Sequence, residues 1–329
     1  DMVICGKNGS TVTTAAVKLA RAYTGRNRIA IPMEHPFFSY DDWFIVQTAC
    51  NTGIPAQGKA LTAEFSYDNL ASVEGLFARK DHDIACLIME PVKFAPPAKG
   101  FLEGVRDICR EQGVVFILDE MICGFKWALG GAQQYLGIKP DLSTWGKGIA
   151  NGYSACALTG RAEIMELGGI RRTGTDKVFL ISTTHGAETT GLAAMLATIE
   201  AFRQHDMIES NWQRGAELKT RLDEVIGRHG LGTALELAGY PCFFMLNCRN
   251  PLGQPDDAFR TLMMQEMIAR GVLFQGLFYL TWSHQKLELD HIVQSFDESC
   301  VVYRQALKSG SCEGLLVGPP AKPVFRKKI

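Results

Sequence analysis

Along residues 1–205, short unbroken apolar runs alternate with stretches of helical period. Met2–Cys5, Arg28–Pro32, Ile84–Met89, Val114–Leu118, Leu142–Trp145, Ala155–Thr159 and Val178–Ser182 read as strands. Runs without polar alternation suit parallel strands covered on both faces. Between them, Ser10–Thr24 carries Val12, Ala16, Leu19, Ala20 and Tyr23 at helical spacing, and Gly25 suits its stop. Asn69–Arg79, Leu102–Gln112 and Glu188–Phe202 read as further helices. Met33–Lys59 has no clean period and many aromatics, which predicts a functional loop. The pattern changes near Asp206. A long amphipathic helix, Ile208–His229, leads to strands at Thr233–Leu237 and Cys242–Asn247, then to helices at Asp256–Arg270 and Leu287–Lys308. The expected organisation is a large α/β domain over 1–205, a small α+β domain over 206–312 and an extended tail over 313–329.

Composition narrows the function without choosing it. A chain of 329 residues with 47% hydrophobic and 21% charged residues has the balance of a soluble globular protein. A formal net charge of −1 leaves no electrostatic footprint for nucleic acid or an anionic membrane. The ten cysteines include no Cys-x-x-Cys pair, and Cys86, Cys109 and Cys156 sit in apolar runs. That usage predicts buried thiols, no metal site and a reducing cytoplasm. No apolar run is long enough to span a bilayer. Asp1 opens directly onto the strand-like Met2–Cys5, so a preceding N-terminal segment is expected in the natural protein.

Four places carry chemistry. Asn8-Gly9-Ser10-Thr11 joins a strand to a helix, where unsatisfied backbone N–H groups and the helix dipole favour an anion. An ordinary Ser or Thr N-cap would leave the same sequence. A nucleotide P-loop does not fit, because Lys7 is followed by Asn8. Asp119 and Glu120 end an apolar strand, at the edge where open α/β sheets bind ligands. Asp119 there could hold a pyridine nitrogen protonated, or simply cap a loop. Lys147 lies in the glycine-flanked bend Trp145-Gly146-Lys147-Gly148. A Schiff base to pyridoxal phosphate rewards such a lysine, which must lose its proton and so is expected to be buried; an exposed turn lysine is the plain alternative. Thr183-Thr184-His185-Gly186-Ala187-Glu188 is a second candidate phosphate turn, with His185 fitting helix entry better than acid–base work.

Taken in order, these segments resemble class III aminotransferases, fold-type I pyridoxal phosphate enzymes, over nearly the whole chain. Asn8-Gly9-Ser10 with Lys18-Leu19-Ala20-Arg21 resembles the family's phosphate turn and its helix. Ile117-Leu118-Asp119-Glu120-Met121-Ile122-Cys123-Gly124-Phe125 resembles its acidic strand end, and Trp145-Gly146-Lys147 with Ala150-Asn151-Gly152 its lysine signature. Within the class, the chain is most similar to glutamate-1-semialdehyde 2,1-aminomutase and related aminotransferases. The resemblance implies a mostly parallel sheet flanked by helices, with pyridoxal 5'-phosphate as cofactor. It gives Lys147 the Schiff base and the proton transfer, Asp119 the ring nitrogen and Met121 a ring face. Gly9 and Ser10 would hold the phosphate, and Thr184 the phosphate of a neighbouring subunit. A homodimer with shared sites follows, with Arg161 to Asp176 near the partner. An amino donor and a carbonyl acceptor are the implied substrates. An intramolecular aminomutase and a non-catalytic homologue are the other readings. The stretch Glu34-His35-Pro36-Phe37-Phe38 departs from the family's ring-stacking motif, leaving Phe37 or Phe38 for that role, and Lys126 stands where the family has arginine.

Overall fold

The computed structural model describes residues 1–34, 38–78, 81–169, 171–174, 176–178 and 184–322. They fall into two compact units, one ending at Gln204 and the other spanning His205–Lys322. The first contains β1 (Met2–Gly6), α1 (Gly9–Thr24), β2 (Arg28–Pro32), α2 (Asp42–Ile45), α3 (Gln57–Ala60), β3 (Thr62–Phe65) and α4 (Leu70–Leu76). There follow β4 (Ile84–Met89), α5 (Phe101–Glu111), β5 (Val115–Asp119), α6 (Gly131–Tyr135), β6 (Leu142–Trp145), β7 (Cys156–Gly160), α7 (Ala162–Met165) and α8 (Thr189–Gln204). Two 3-10 turns, Lys147–Ile149 and Glu166–Gly168, lie between them.

The strands form one sheet in the order β1-β7-β6-β5-β4-β2-β3. Its centre, from β3 to β6, is parallel, while β7 runs antiparallel to both β6 and β1. The apolar runs explain why both faces are covered. Along β5, Val115 and Ile117 join the core beneath α1, while Phe116 and Leu118 join the core beneath α5. Along β4, Cys86 and Ile88 take the first side and Leu87 and Met89 the second. Helix α1 buries Val12, Ala15, Ala16, Val17, Leu19 and Ala20. Asn8 caps its start by accepting from the Thr11 N–H at 3.0 Å, and Gly25 ends it at φ 69°.

The second unit holds α9 (Met207–Arg228), β8 (Leu235–Tyr240), β9 (Phe243–Cys248), α10 (Asp257–Ala269), β10 (Leu277–Tyr279) and α11 (Lys286–Ser309). Its three antiparallel strands, ordered β10-β9-β8, share one core with the helices, around Phe244, Leu262, Phe296 and Tyr303. Residues 317–321 return onto α10, where the Val317 N–H meets Gln265 and the Ala321 N–H meets Thr261. Gly215 on α9 sits so close to the β8–β9 turn that an added Cβ would lie 1.8 Å from the Pro241 carbonyl oxygen. Gly215→Ala therefore has to push helix and turn apart. A loss of roughly 1–3 kcal/mol is expected, read as a lower denaturation midpoint; a midpoint at or above the parent's would contradict this packing.

Several boundaries differ from the sequence expectations for identifiable reasons. The first strand of the small unit shifts from Thr233–Leu237 to Leu235–Tyr240, because Gly239, at φ 131°, carries the strand into a tight turn. Strands β3 and β10, four and three residues long, are too short for a period to show. The helix expected at Asn69–Arg79 is Leu70–Leu76, with Asn69 as its cap. Most of the expected strand Val178–Ser182 lies outside the described residues.

Candidate active site

The candidate residues Asp119 and Lys147 lie at the C-terminal edge of the parallel strands. Asp119 is the last residue of β5 and is 3% exposed. Its Oδ1 accepts the Met121 N–H at 3.0 Å and the Thr144 hydroxyl at 2.8 Å. Thr144 can do this because the ladder sets it opposite Asp119 on β6. Burial pushes the Asp119 carboxyl up to about 7, and the neighbouring Glu90 adds to the rise. The Met121 N–H, the Thr144 hydroxyl and the Lys147 ammonium pull the other way. Lys147 thus lies within electrostatic reach of Asp119.

Glu120 has a different task. Its carboxylate accepts the N–H groups of Ala132 and Gln133, at 2.9 and 2.7 Å, at the start of α6. It is fully buried, and burial raises it to about 7. Gly131 presses against this carboxylate at φ 76°, leaving no room for a side chain. Of the two adjacent acids, Glu120 braces a helix, while Asp119 is held by Thr144 and the Met121 N–H.

Lys147 opens a 3-10 turn directly after β6 at φ 47°, a left-handed conformation that costs a non-glycine residue about 1–3 kcal/mol and clusters at functional sites. Gly146 makes the bend possible: a Cβ there would lie 2.6 Å from Met121 Sδ and 2.8 Å from Cys156 Sγ. Burial pushes the ionisation of the neighbouring Cys156 thiol up to about 11. The expected burial of Lys147 is not found, since the residue is exposed. The turn carries the chain off the sheet edge.

The anion turn also takes shape. Among the described residues, the Gly9 and Ser10 N–H groups have no hydrogen-bond partner, so the first turn of α1 offers two free donors. Met121 packs against this turn as well, its Sδ 3.2 Å from where a Gly9 Cβ would be. Met121 is buried and bridges the anion turn to the lysine bend. Lys7 reinforces the cluster, accepting the Ser154 hydroxyl on its carbonyl at 2.7 Å and pairing its ammonium with Glu188. Thr184 is exposed in the turn before α8, and His185 is 70% exposed; Thr183 lies outside the described residues. Phe38 is buried against Phe44, and Phe37 lies outside the described residues. A cavity of about 750 Å³ lined by Arg106, Arg110, Lys139 and Arg161 opens at the opposite edge of the sheet and holds none of these groups.

Thr144, Glu90 and Lys7 were missed in the sequence. Thr144 and Glu90 act through strand register, which no local pattern encodes; Lys7 acts through a contact to Glu188, 181 positions away.

The site fits pyridoxal phosphate on its own geometry: a buried carboxylate for the ring nitrogen, a nearby lysine, and free helix-end amides for a phosphate. The comparisons with known proteins agree. Residues 1–233 match the family model for aminotransferase class-III. The 3-aminobutyryl-CoA aminotransferase of Cloacimonas acidaminovorans is 29% identical over 93% of this chain and 72% of its own length. The glutamate-1-semialdehyde 2,1-aminomutase of Syntrophobacter fumaroxidans is 30% identical over 90% of this chain and 72% of its own. The PLP form of the FumI protein from Sphingopyxis sp. MTA144 superposes with a TM-score of 0.81 at 26% identity, covering 94% of this chain and 73% of that one. The chain therefore belongs to the class-III aminotransferase family and is a pyridoxal phosphate-dependent aminotransferase of the fold-type I architecture.

Proposed function

We propose that this enzyme moves an amino group between a separate amino donor and a carbonyl acceptor, with Lys147 and Asp119 as its catalytic pair. The observation that carries the proposal is the buried Asp119 carboxylate, fixed by Thr144 and the Met121 N–H within reach of Lys147. When bound, pyridoxal phosphate supplies an aldehyde that condenses with amines and a ring that accepts the electron pair left on the substrate carbon. Lys147 would supply the amine that holds the aldehyde and, once a substrate amine has displaced it, the free base that moves a proton on the substrate carbon. Asp119 keeps the ring nitrogen cationic. The Gly9 and Ser10 amides, with the Ser10 hydroxyl, hold the phosphate, and Met121 lies against a ring face. Thr184, exposed on the free chain, reaches the phosphate of a neighbouring subunit, so the working form is a homodimer with shared sites. All ten cysteines are free thiols, which supports a reducing cytoplasm. No helix among the described residues is long and apolar enough to cross a membrane.

A second reading, an intramolecular aminomutase acting on a 2-amino-aldehyde, is favoured by the 30% identity to an aminomutase. A screen of the purified, cofactor-loaded enzyme separates the two. Loss of the cofactor's visible absorption on adding single amino acids or amines, restored by a keto acid, supports transfer between two molecules. Conversion of a 2-amino-aldehyde with no acceptor present, and no response to amino donors, would replace the transferase by the mutase.

A further inference from the structure

Glu90 stands one residue beyond the end of β4 and is 7% exposed. The ladders pair Met89 with Leu118 and Asp119 with Thr144. One step past the first pair, Glu90 comes beside Asp119, and the row Glu90–Asp119–Thr144 crosses three neighbouring strands at their C-terminal edge. Residues level with one another on adjacent strands share a sheet face and lie about 5 Å apart. Thr144 binds Asp119 from one side; Glu90 flanks it from the other. Lys93, from the same loop as Glu90, reaches the Glu90 carboxylate at 3.5 Å. The turn after β5 adds Glu120, Cys123 and Lys126, and Cys123 feels the charges of Glu90, Asp119, Glu120 and Lys126 together. Lys147 completes the charged groups around Asp119.

Two buried carboxylates one strand apart do not both ionise cheaply, so the pair retains a proton to higher pH than either acid would alone. Pairing Asp119 with a ring nitrogen needs one proton between them. We infer that Glu90 is a positioning residue that acts through Asp119, holding on that carboxyl in the cofactor-free protein a proton that is released when a ring nitrogen carrying its own proton binds. This rests on the assignment of Asp119 as the ring partner. Lys93 limits the charge Glu90 can exert without removing it, and the Met121 and Thr144 donors keep the Asp119 carboxyl pointing one way.

The test is calorimetric titration of cofactor-stripped enzyme with pyridoxal phosphate, just below neutrality, in two buffers of different ionisation enthalpy. The quantity read is protons released per site. Comparison between variants cancels the cofactor's own ionisations. In Glu90→Gln the Asp119 titration, followed by carboxyl NMR, is expected to fall by about one pH unit. Binding should then release a smaller fraction of a proton to the buffer than in the parent. Glu90→Asp, which keeps the charge, should restore the parent value; a merely structural role for Glu90 would not move the proton balance. If Glu90→Gln binds with the parent's proton balance while Asp119→Asn does not, the Glu90 inference is overturned and Asp119 remains the ring partner. If Asp119→Asn also keeps the parent's balance, the assignment of Asp119 falls, and the inference with it.

Discussion

Lys147→Ala is expected to reduce amino transfer to background, a loss on the order of 10⁵-fold or more, while the fold and part of the cofactor affinity survive. The side chain is exposed and braces no core, so truncating it should change stability by less than about 0.5 kcal/mol. What fixes the bend is the backbone, with Gly146 wedged against Met121 and Cys156. Alanine keeps all of these contacts. It loses the amine to which the proposed mechanism gives both the hold on the aldehyde and the proton transfer. The anion turn at Gly9 and Ser10 sits on α1, outside the lysine loop, so phosphate binding should persist. Three measurements check this together: kcat, cofactor retained after dialysis, and the melting temperature. A small primary amine added from solution should return a fraction of the lost rate, because the proton carrier would be supplied in trans. Near-parental turnover in the alanine variant would remove Lys147 from the mechanism.

How far the sequence leads depends on the range of the contacts involved. The parallel centre of the sheet was legible because its strands are unbroken apolar runs, a pattern that only two-sided burial explains. The cap at Asn8 and the stop at Gly25 were legible because helix ends are local. Asp119 and Lys147 could be named because each follows a readable strand. Their relation could not be derived from spacing: it follows from β5 and β6 being neighbours in register, a fact about topology. Thr144 shows this most clearly. Within Leu142–Trp145 it reads as one more strand residue, and only its pairing with Asp119 makes it a donor to that carboxylate. Glu120 was read alongside Asp119 as a strand-end acid, yet its partners are the amides of α6, a helix of five residues with no periodic signature. The exposure of Lys147 corrects an argument that ran from chemistry to burial. A reactive lysine needs a lowered proton affinity at the moment of reaction, and nothing requires the protein chain by itself to bury it.

Asp119→Asn should separate the stability of the cofactor-free protein from its activity, moving them in opposite directions. The amide keeps an oxygen where Oδ1 is, able to accept from both the Met121 N–H and the Thr144 hydroxyl, so the local geometry is preserved. What disappears is a buried charge that the fold tolerates poorly. In the unfolded chain this carboxyl titrates near 4; in the fold, burial and Glu90 raise it to about 7. Between those two pH values the folded state holds a proton that the unfolded state has released. Raising the pH through that window therefore weakens the fold, and the whole penalty is present above about 7. Glu120, also raised to about 7, contributes a parallel loss that the substitution leaves in place. The cofactor-free asparagine variant should thus melt higher than the parent at mildly alkaline pH, by roughly 5 °C, and should show a shallower, though not flat, decline across the window. At pH 4 the two should melt together. Cofactor reverses the order. With Asp119 as the proposed ring partner, a cationic ring nitrogen would give the aspartate a counter-charge where asparagine offers only a dipole, so the loaded parent should become the more stable of the two. Turnover should fall on the order of 10³-fold, because the ring loses the charge that lets it hold the substrate's electron pair. Melting curves of both proteins, with and without pyridoxal phosphate across this pH range, read the crossing directly. Parallel curves in all four conditions, or full activity in the variant, would mean that the buried acid at the end of β5 serves the fold alone.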